Sequence, residues 1–484
     1  MNFLLKKYKG FPVQLKASLW FLMCSFLQKG ISVITTPIFT RLLSSDEYGA
    51  FGAFSSWNSI ISIIISMNLA SGVYTTALVK FNDDRKVLAS SYQGLTLCLC
   101  LFWTIIYLAA KNFWNGLFDL TTTQMLAMLL LIWVSASFSL WCVEQRVLYN
   151  YKSLVIVTAV VSIANPIVGI LFVLISDDKV TARILGLALV EVIAYSGFAV
   201  SQMIRGKRLF EKKYWIYALK FNLPLIPHAL SQTILSSADR IMIKNMVGES
   251  QAGFYNLAYS VSLIMIIFNT ALSQTLAPWT YQKLKANKVE DLNGIAVFSM
   301  GLIALLNLFL IAFAPEVIRF FAPPEYSEAA YIIPPVAMSV FFMYLYDWFA
   351  RFEYYYEKTH CLLIASMSGA IINLILNYIF IPICGYIAAG YTTLICYMVY
   401  CFMHYYFMRK ICKDNLLGRT VYNTKQILGI TAVFLILGFS LLLTYAHPII
   451  RYCCLMLMLA ITFIKRKYII SKTKEVISIR KDKK

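Results

Sequence analysis

The sequence is short of charge. Asp, Glu, Lys and Arg make up 14% of its 484 residues and hydrophobic residues 60%, whereas a soluble domain carries about 25% charged residues. That shortage excludes an ordinary soluble enzyme. Histidine is also rare: His228, His360, His404 and His447 stand at spacings that match no metal-ligand pattern, so no metal site is expected. The cysteines form no CxxC pair, and Cys24, Cys98, Cys100, Cys142, Cys396 and Cys401 lie inside apolar runs, as small packing residues do. Acid is scarcer than base, 23 residues against 43, giving a net charge of +20. A surplus of that size suits nucleic acid, but here the cations sit in short loops and in the tail, where they orient a chain in a membrane. Nucleic acid is therefore excluded as a partner. No hydrophilic stretch is long enough for an extramembrane domain, and no acidic pair stands in a long loop of the kind glycan chemistry needs. The chain is not expected to be an enzyme. Its first apolar run is too long for a signal sequence and is followed by no small-residue cleavage site, so it should stay attached.

What the sequence does have is apolar runs of about 20 residues, repeated from end to end with few linkers, which reads as spanning helices rather than barrel strands. The expected fold is an all-α polytopic membrane protein of about 14 transmembrane helices, with the first spans near 18–43 and 48–72 and later ones near 214–239 and 252–277. An even number places both termini on one side, and Lys and Arg are about fourfold more abundant on that side, so both termini should be cytoplasmic. The most basic internal loop, Arg205 to Lys213, falls where two six-helix halves would join. The segment Leu42 to Phe51 resembles Met246 to Tyr255, each placing an acidic loop and a glycine at the start of a helix. Ser55, Ser59, Ser62 and Ser66 form a one-faced stripe in the second span, as Tyr255, Tyr259, Ser262, Asn269 and Ser273 do in the eighth. Two parallel six-helix repeats around a central cavity follow. The expected division is an N-terminal lobe at 1–213, a C-terminal lobe at 214–408, and helices 13 and 14 with a basic cytoplasmic tail at 409–484. Ala446-His447-Pro448 leaves open whether the last two spans are separate helices.

The most telling polar residue is Lys29, near the middle of the first span. A lysine at that depth costs at least about 2.5 kcal/mol, so it is expected to face a bundle interior or a wet cavity. Ser18, Ser25, Ser32, Thr36 and Thr40 share its face at helical spacing, which fits a wet surface or a packing seam of small hydroxyl residues beside a snorkelling lysine. Arg41 closes this span. Glu144 and Arg146 end the fourth, and Glu191 lies well inside the sixth, where a buried carboxylate is either paired or titrating. The seventh carries Lys220, Pro224, His228, Gln232 and Ser236 and then Asp239 and Arg240, at four- and three-residue steps; Pro224 and Pro227 should bend it. Asp347 and Arg351 stand one turn apart among tyrosines in the tenth, where the rings suit either sugar stacking or an interfacial belt.

At these residues a family resemblance becomes visible. Lys29-Gly30, the run from Pro37 to Leu43 and Glu47-Tyr48-Gly49 resemble the opening signature of polysaccharide flippases in the multidrug/oligosaccharidyl-lipid/polysaccharide exporter superfamily. The run from Pro224 to His228, the run from Asp239 to Ile243 and Gly253-Phe254-Tyr255 resemble its second-half signature. The resemblance implies an O-antigen or capsule repeat-unit flippase of the Wzx type, which moves an undecaprenyl-diphosphate-linked oligosaccharide across the bacterial cytoplasmic (inner) membrane by alternating access. It implies as partners the lipid-linked glycan, the bilayer, a polysaccharide polymerase and a chain-length regulator. It carries no catalytic signature and no cofactor, and it leaves proton or sodium coupling open. A cation-coupled antiporter on the same architecture is the rival reading, and it would favour a cavity dominated by carboxylates; Lys29 argues against it.

Overall fold

The computed structural model describes residues 13–478; residues 1–12 and 479–484, including the KDKK end, lie outside that range. Among the described residues all regular structure is helical. The chain divides into two compact units, Met1–Ile241 and Met242–Lys484. The first contains α1 (Val13–Leu42), α2 (Ser45–Ser66), α3 (Tyr74–Lys80), α4 (Arg85–Ala109), α5 (Lys111–Phe118), α6 (Thr122–Val147), α7 (Tyr151–Leu174), α8 (Lys179–Gly206), α9 (Lys212–Asn222) and most of α10 (Ile226–Met246). The second contains α11 (Glu249–Ser262), α12 (Ile264–Lys285), α13 (Leu292–Ala312), α14 (Ala314–Phe321), α15 (Ile333–Tyr355), α16 (Thr359–Cys384), α17 (Ala388–Asn415), α18 (Thr424–Leu443), α19 (Pro448–Ile464) and α20 (Arg466–Ser478).

Among the described residues, nine helical stretches are long and apolar enough to cross a membrane, or eleven if two bent pairs each count as one span. The sequence suggested about 14. Three further helices have membrane length and fall outside that count: α1 with 30 residues, α10 with 21 and α17 with 28. α10 is diluted by Asp239 and Arg240, and α17 by a run of Tyr, His and Lys.

Local chemistry sets the helix ends. The Ser44 hydroxyl accepts from the Glu47 amide at 3.2 Å while the Glu47 carboxylate accepts from the Ser44 amide at 2.7 Å, a capping box that starts α2. Thr121 and Gln124 do the same for α6. The seventh expected span is not continuous. Pro224 and Pro227 lack the N–H groups a helix needs, and the chain passes from α9 through a 3₁₀ turn at Leu223–Leu225 into α10. Lys220 and His228 therefore share no unbroken helical face. Span two is also broken. α2 ends at Met67 and Asn68, which take left-handed φ values of 50° and 51°, and an irregular turn leads to α3. The last two spans are separate, since Thr444 to His447 form a turn between α18 and α19.

Lipid is as apolar as the side chains it meets, so contact quality rather than transfer from water holds such helices together. In the first unit, Phe138 of α6 stacks on Tyr195 of α8 at 3.8 Å, and Tyr74 packs on Tyr92 at 4.8 Å. In the second, α15 is buried along most of its length, and Trp348, Phe349 and Phe352 pack around Tyr422. Arg451 of α19 pairs with Glu316 of α14, and Tyr452 donates to the same carboxylate at 2.7 Å. After α19 the chain bends by 64° into α20.

Candidate functional site

The serine stripe of α2 lines a cavity of about 230 Å³ inside the first unit. Asn58, Ser59, Ser62 and Ser66 form one wall, Asn68 and Ser71 from the break at the end of α2 form another, and Thr96, Ser135 and Ser139 come from α4 and α6. The floor is apolar: Leu69, Leu131, Ile132 and Leu140. The break is fixed from outside the stripe. The Asn222 side-chain oxygen accepts from the Val73 amide at 3.3 Å, and a side chain on Gly72 would run into the Asn222 amide group.

Six of the hydroxyls that line this cavity spend their protons on other groups. Ser59 donates to the Ser55 carbonyl at 2.9 Å, Ser62 to Ser59 at 2.9 Å and Ser66 to Ser62 at 2.6 Å. Thr96 donates to the Tyr92 carbonyl at 2.9 Å and Ser139 to the Ser135 carbonyl at 2.8 Å. A serine or threonine has one proton and two lone pairs, so each of these groups offers the cavity an acceptor. The Asn58 Oδ1 atom is buried and has no hydrogen-bond partner. Ser135 spends its proton on the Glu191 carboxylate at 2.6 Å, which holds that acid behind the wall.

A buried polar network lies in the same unit. Gln93 Nε2 donates to the Ser137 carbonyl at 3.0 Å and to Gln202 Oε1 at 2.6 Å, and Gln202 Nε2 donates to Glu144 Oε2 at 2.6 Å. It ties α4, α6 and α8 together and fully engages one oxygen of Glu144. Arg146 lies 5.9 Å from the centre of the Phe21 ring. The sequence alone did not single out Gln93, Gln202, Asn58 or Arg183. Arg183 stacks 3.7 Å above the Phe39 ring and donates to the Asn165 carbonyl at 3.3 Å. The signal for the cavity was present in the α2 stripe and in Asn68-Leu69-Ala70-Ser71-Gly72, whose Asn and Gly favour a break.

The stripe of α1 divides in two. Thr36 and Thr40 are buried, and their hydroxyls donate to the Ser32 carbonyl at 2.8 Å and the Pro37 carbonyl at 3.3 Å, which makes this half a packing seam. Ser25 donates to the Phe21 carbonyl at 3.2 Å, and Lys29 and Ser32 are exposed; the side chain of Ser18 lies outside the described residues. Lys29 makes no ion pair or hydrogen bond among the described residues. Arg41, exposed, donates to the Pro37 carbonyl at 2.7 Å. Lys220 is exposed and His228 half-buried. Asp239 is 1% exposed, and Arg240 reaches Ser56 of α2 at 3.2 Å.

In the second unit the structure brings Asp347 and Arg351 together at 2.8 Å, with Ser273 donating to the same Asp347 oxygen at 2.7 Å. Arg351 also reaches Thr280 at 3.2 Å and lies 3.9 Å from the Trp348 ring. The tyrosines around this pair are largely core: Tyr344 is buried, and Tyr346 packs on Tyr400 at 4.5 Å, although Tyr354 is exposed. A second pair, Glu353 and His404, meets at 2.6 Å with both side chains fully buried. No spacing rule joins these two residues.

Comparison with known proteins accounts for this arrangement. The chain is 23% identical over 369 residues to Lsg locus putative protein 1 of Haemophilus influenzae, covering 74% of this chain and 88% of the relative. Its fold is similar to that of the lipid II flippase MurJ in an inward closed conformation, with a TM-score of 0.69 at 16% identity over 92% of this chain and 99% of that one. It is also similar to an inward-facing multidrug resistance MATE family transporter of the MOP superfamily, with a TM-score of 0.60 at 14% identity over 80% and 96% of the two chains. A MatE sequence model matches residues 224–379. A model described as polysaccharide biosynthesis protein matches residues 14–284, more than half of the chain. The chain is a multi-pass membrane protein of the polysaccharide biosynthesis protein family, with a fold similar to those of MurJ and the MATE transporter.

Proposed function

We propose that the protein flips an undecaprenyl-diphosphate-linked oligosaccharide repeat unit across the bacterial inner membrane for O-antigen or capsule assembly, by alternating access. The observation that carries this reading is the pairing of a family defined by polysaccharide biosynthesis with an oxygen-lined cavity among helices long and apolar enough to cross a membrane. A glycan crossing a bilayer must exchange water for hydrogen-bonding groups of the protein. A diphosphate needs a cation, and Lys29 is exposed on a helix of membrane length. The lipid tail meanwhile remains in the bilayer. Both termini lie in the cytoplasm, and a polysaccharide polymerase and a chain-length regulator act downstream.

The test is deletion of the gene. Lipid-linked repeat units should accumulate in the inner membrane, measured by mass spectrometry, and surface polysaccharide should be lost and then restored by the intact gene. Unchanged surface polysaccharide with no accumulated intermediate would refute the reading. The MatE match supports a second reading, a cation-coupled small-molecule antiporter; dye efflux that depends on the protein, with glycan unaffected, favours it.

A further inference from the structure

We infer that the cavity walled by the α2 serines is a binding subsite for one neutral pyranose ring of the transported glycan, and that it selects against acidic sugars. The inference rests on the glycan-flippase reading and names what part of the substrate this cavity takes. Size is the first argument. At about 230 Å³ the cavity exceeds the engineered cavity of about 150 Å³ that accepts benzene, so a six-membered ring fits. It is far larger than a dehydrated cation needs.

Polarity is the second. The benzene-binding cavity is dry because it is wholly apolar; this one combines the apolar Leu69, Leu131, Ile132 and Leu140 with a larger set of hydroxyl and amide side chains. A pyranose has the same division, with C–H groups on its faces and hydroxyls around its edge.

The direction of the hydrogen bonds is the third. Ser59, Ser62, Ser66, Thr96 and Ser139 have already donated their protons to helix carbonyls, and Asn58 Oδ1 is buried with none to accept. What the walls need is a ligand that donates from several directions around a ring. Sugar hydroxyls do so, and an acetamido N–H does as well. A uronic acid carboxylate would bring only acceptors and a charge that no lining side chain neutralises, since no lysine or arginine lines the cavity.

The experiment uses the full-length protein in lipid nanodiscs and saturation-transfer NMR with three probes at equal concentration: glucose, N-acetylglucosamine and glucuronate. Glucose and N-acetylglucosamine should receive saturation and glucuronate should not. Asn58→Leu should weaken binding about fivefold, the equivalent of about 1 kcal/mol for one hydrogen bond, and Ser62→Leu, which fills the cavity, should abolish it. Ser176→Ala, on an exposed turn, should change nothing. Absence of saturation for all three sugars, in a protein that still clears lipid-linked intermediates in the deletion strain, overturns the subsite and leaves the flippase reading intact. Saturation that survives both Asn58→Leu and Ser62→Leu, or equal saturation of glucuronate, also overturns it. So does a silent sugar response with sodium-23 line broadening that both variants remove, which makes the cavity a cation site. Because the wild-type comparison of glucose with glucuronate decides alone, a misfolded variant does not rescue the inference. Failure of the flippase reading is read separately, from the lipid-linked intermediates.

Discussion

At the scale of single residues, charge that is open and charge that is buried call for different tests. Lys29 is exposed without an ion-pair partner among the described residues, so its replacement should cost function more than stability. If it receives the diphosphate, Coulomb attraction in a partly dry site outweighs the packing of one flexible stem. Lys29→Arg should keep part of the surface glycan, while Lys29→Gln and Lys29→Ala lose it at equal protein in the membrane; full activity in Lys29→Gln would show that the charge is unused. The Glu353 and His404 pair is the opposite case, with both side chains at 0% exposure. Removing one partner strands the other, at a cost of roughly 3–5 kcal/mol, whereas replacing both with apolar residues is often neutral. Glu353→Leu should therefore unfold at a clearly lower temperature in detergent than the double variant Glu353→Leu/His404→Leu. Equal loss in the two would mean that packing, not charge, matters there. This pair also marks a limit of sequence reading, because Glu353 and His404 lie 51 positions apart with no spacing rule to join them.

Among the helices, close approach decides which substitutions α4 tolerates. A methyl group on Gly94 of α4 would collide with the backbone carbonyl of Leu209, which has nowhere flexible to go. Gly197 of α8 has no such neighbour within 4 Å. Alanine favours a helix over glycine by up to about 1 kcal/mol, while forced overpacking costs typically about 1–3 kcal/mol. Gly94→Ala should thus lower the unfolding temperature and Gly197→Ala should hold or raise it, measured side by side by thermal unfolding; a stabilised Gly94→Ala would contradict the close crossing. The elements themselves were largely legible in the sequence. The apolar runs gave the helices, Pro224 and Pro227 gave the break in the seventh span, and Ser55 to Ser66 gave the wet stripe. What was not legible was where α2 stops. The turn that follows the left-handed Met67 and Asn68 is tied down at Val73 by Asn222, a contact between segments far apart in the chain. The α1 stripe was only half legible for a similar reason, since periodicity places Thr36 and Thr40 on one face without telling a wet surface from a packing seam.

For the whole molecule, charge asymmetry predicts that a reporter active only in the periplasm, fused after Lys484, stays silent; activity there would reverse the orientation. The same scale shows why composition could bound the class so early and the span count so poorly. Hydropathy counts helices that would enter lipid alone, and the polar residues of α10 and α17 lower theirs. Polarity inside a span also bears on how the chain is made. α1 is the first described helix to meet the insertion machinery, and a lysine at its centre opposes partition into lipid by about 2.5–3.5 kcal/mol. Its retention in the membrane then depends on the arrival of α7, the helix it packs against. A nascent chain ending just after α1 should be released by alkaline extraction, while one that extends past α7 should resist it, so the residue proposed to serve transport also delays biogenesis until its neighbours have been synthesised.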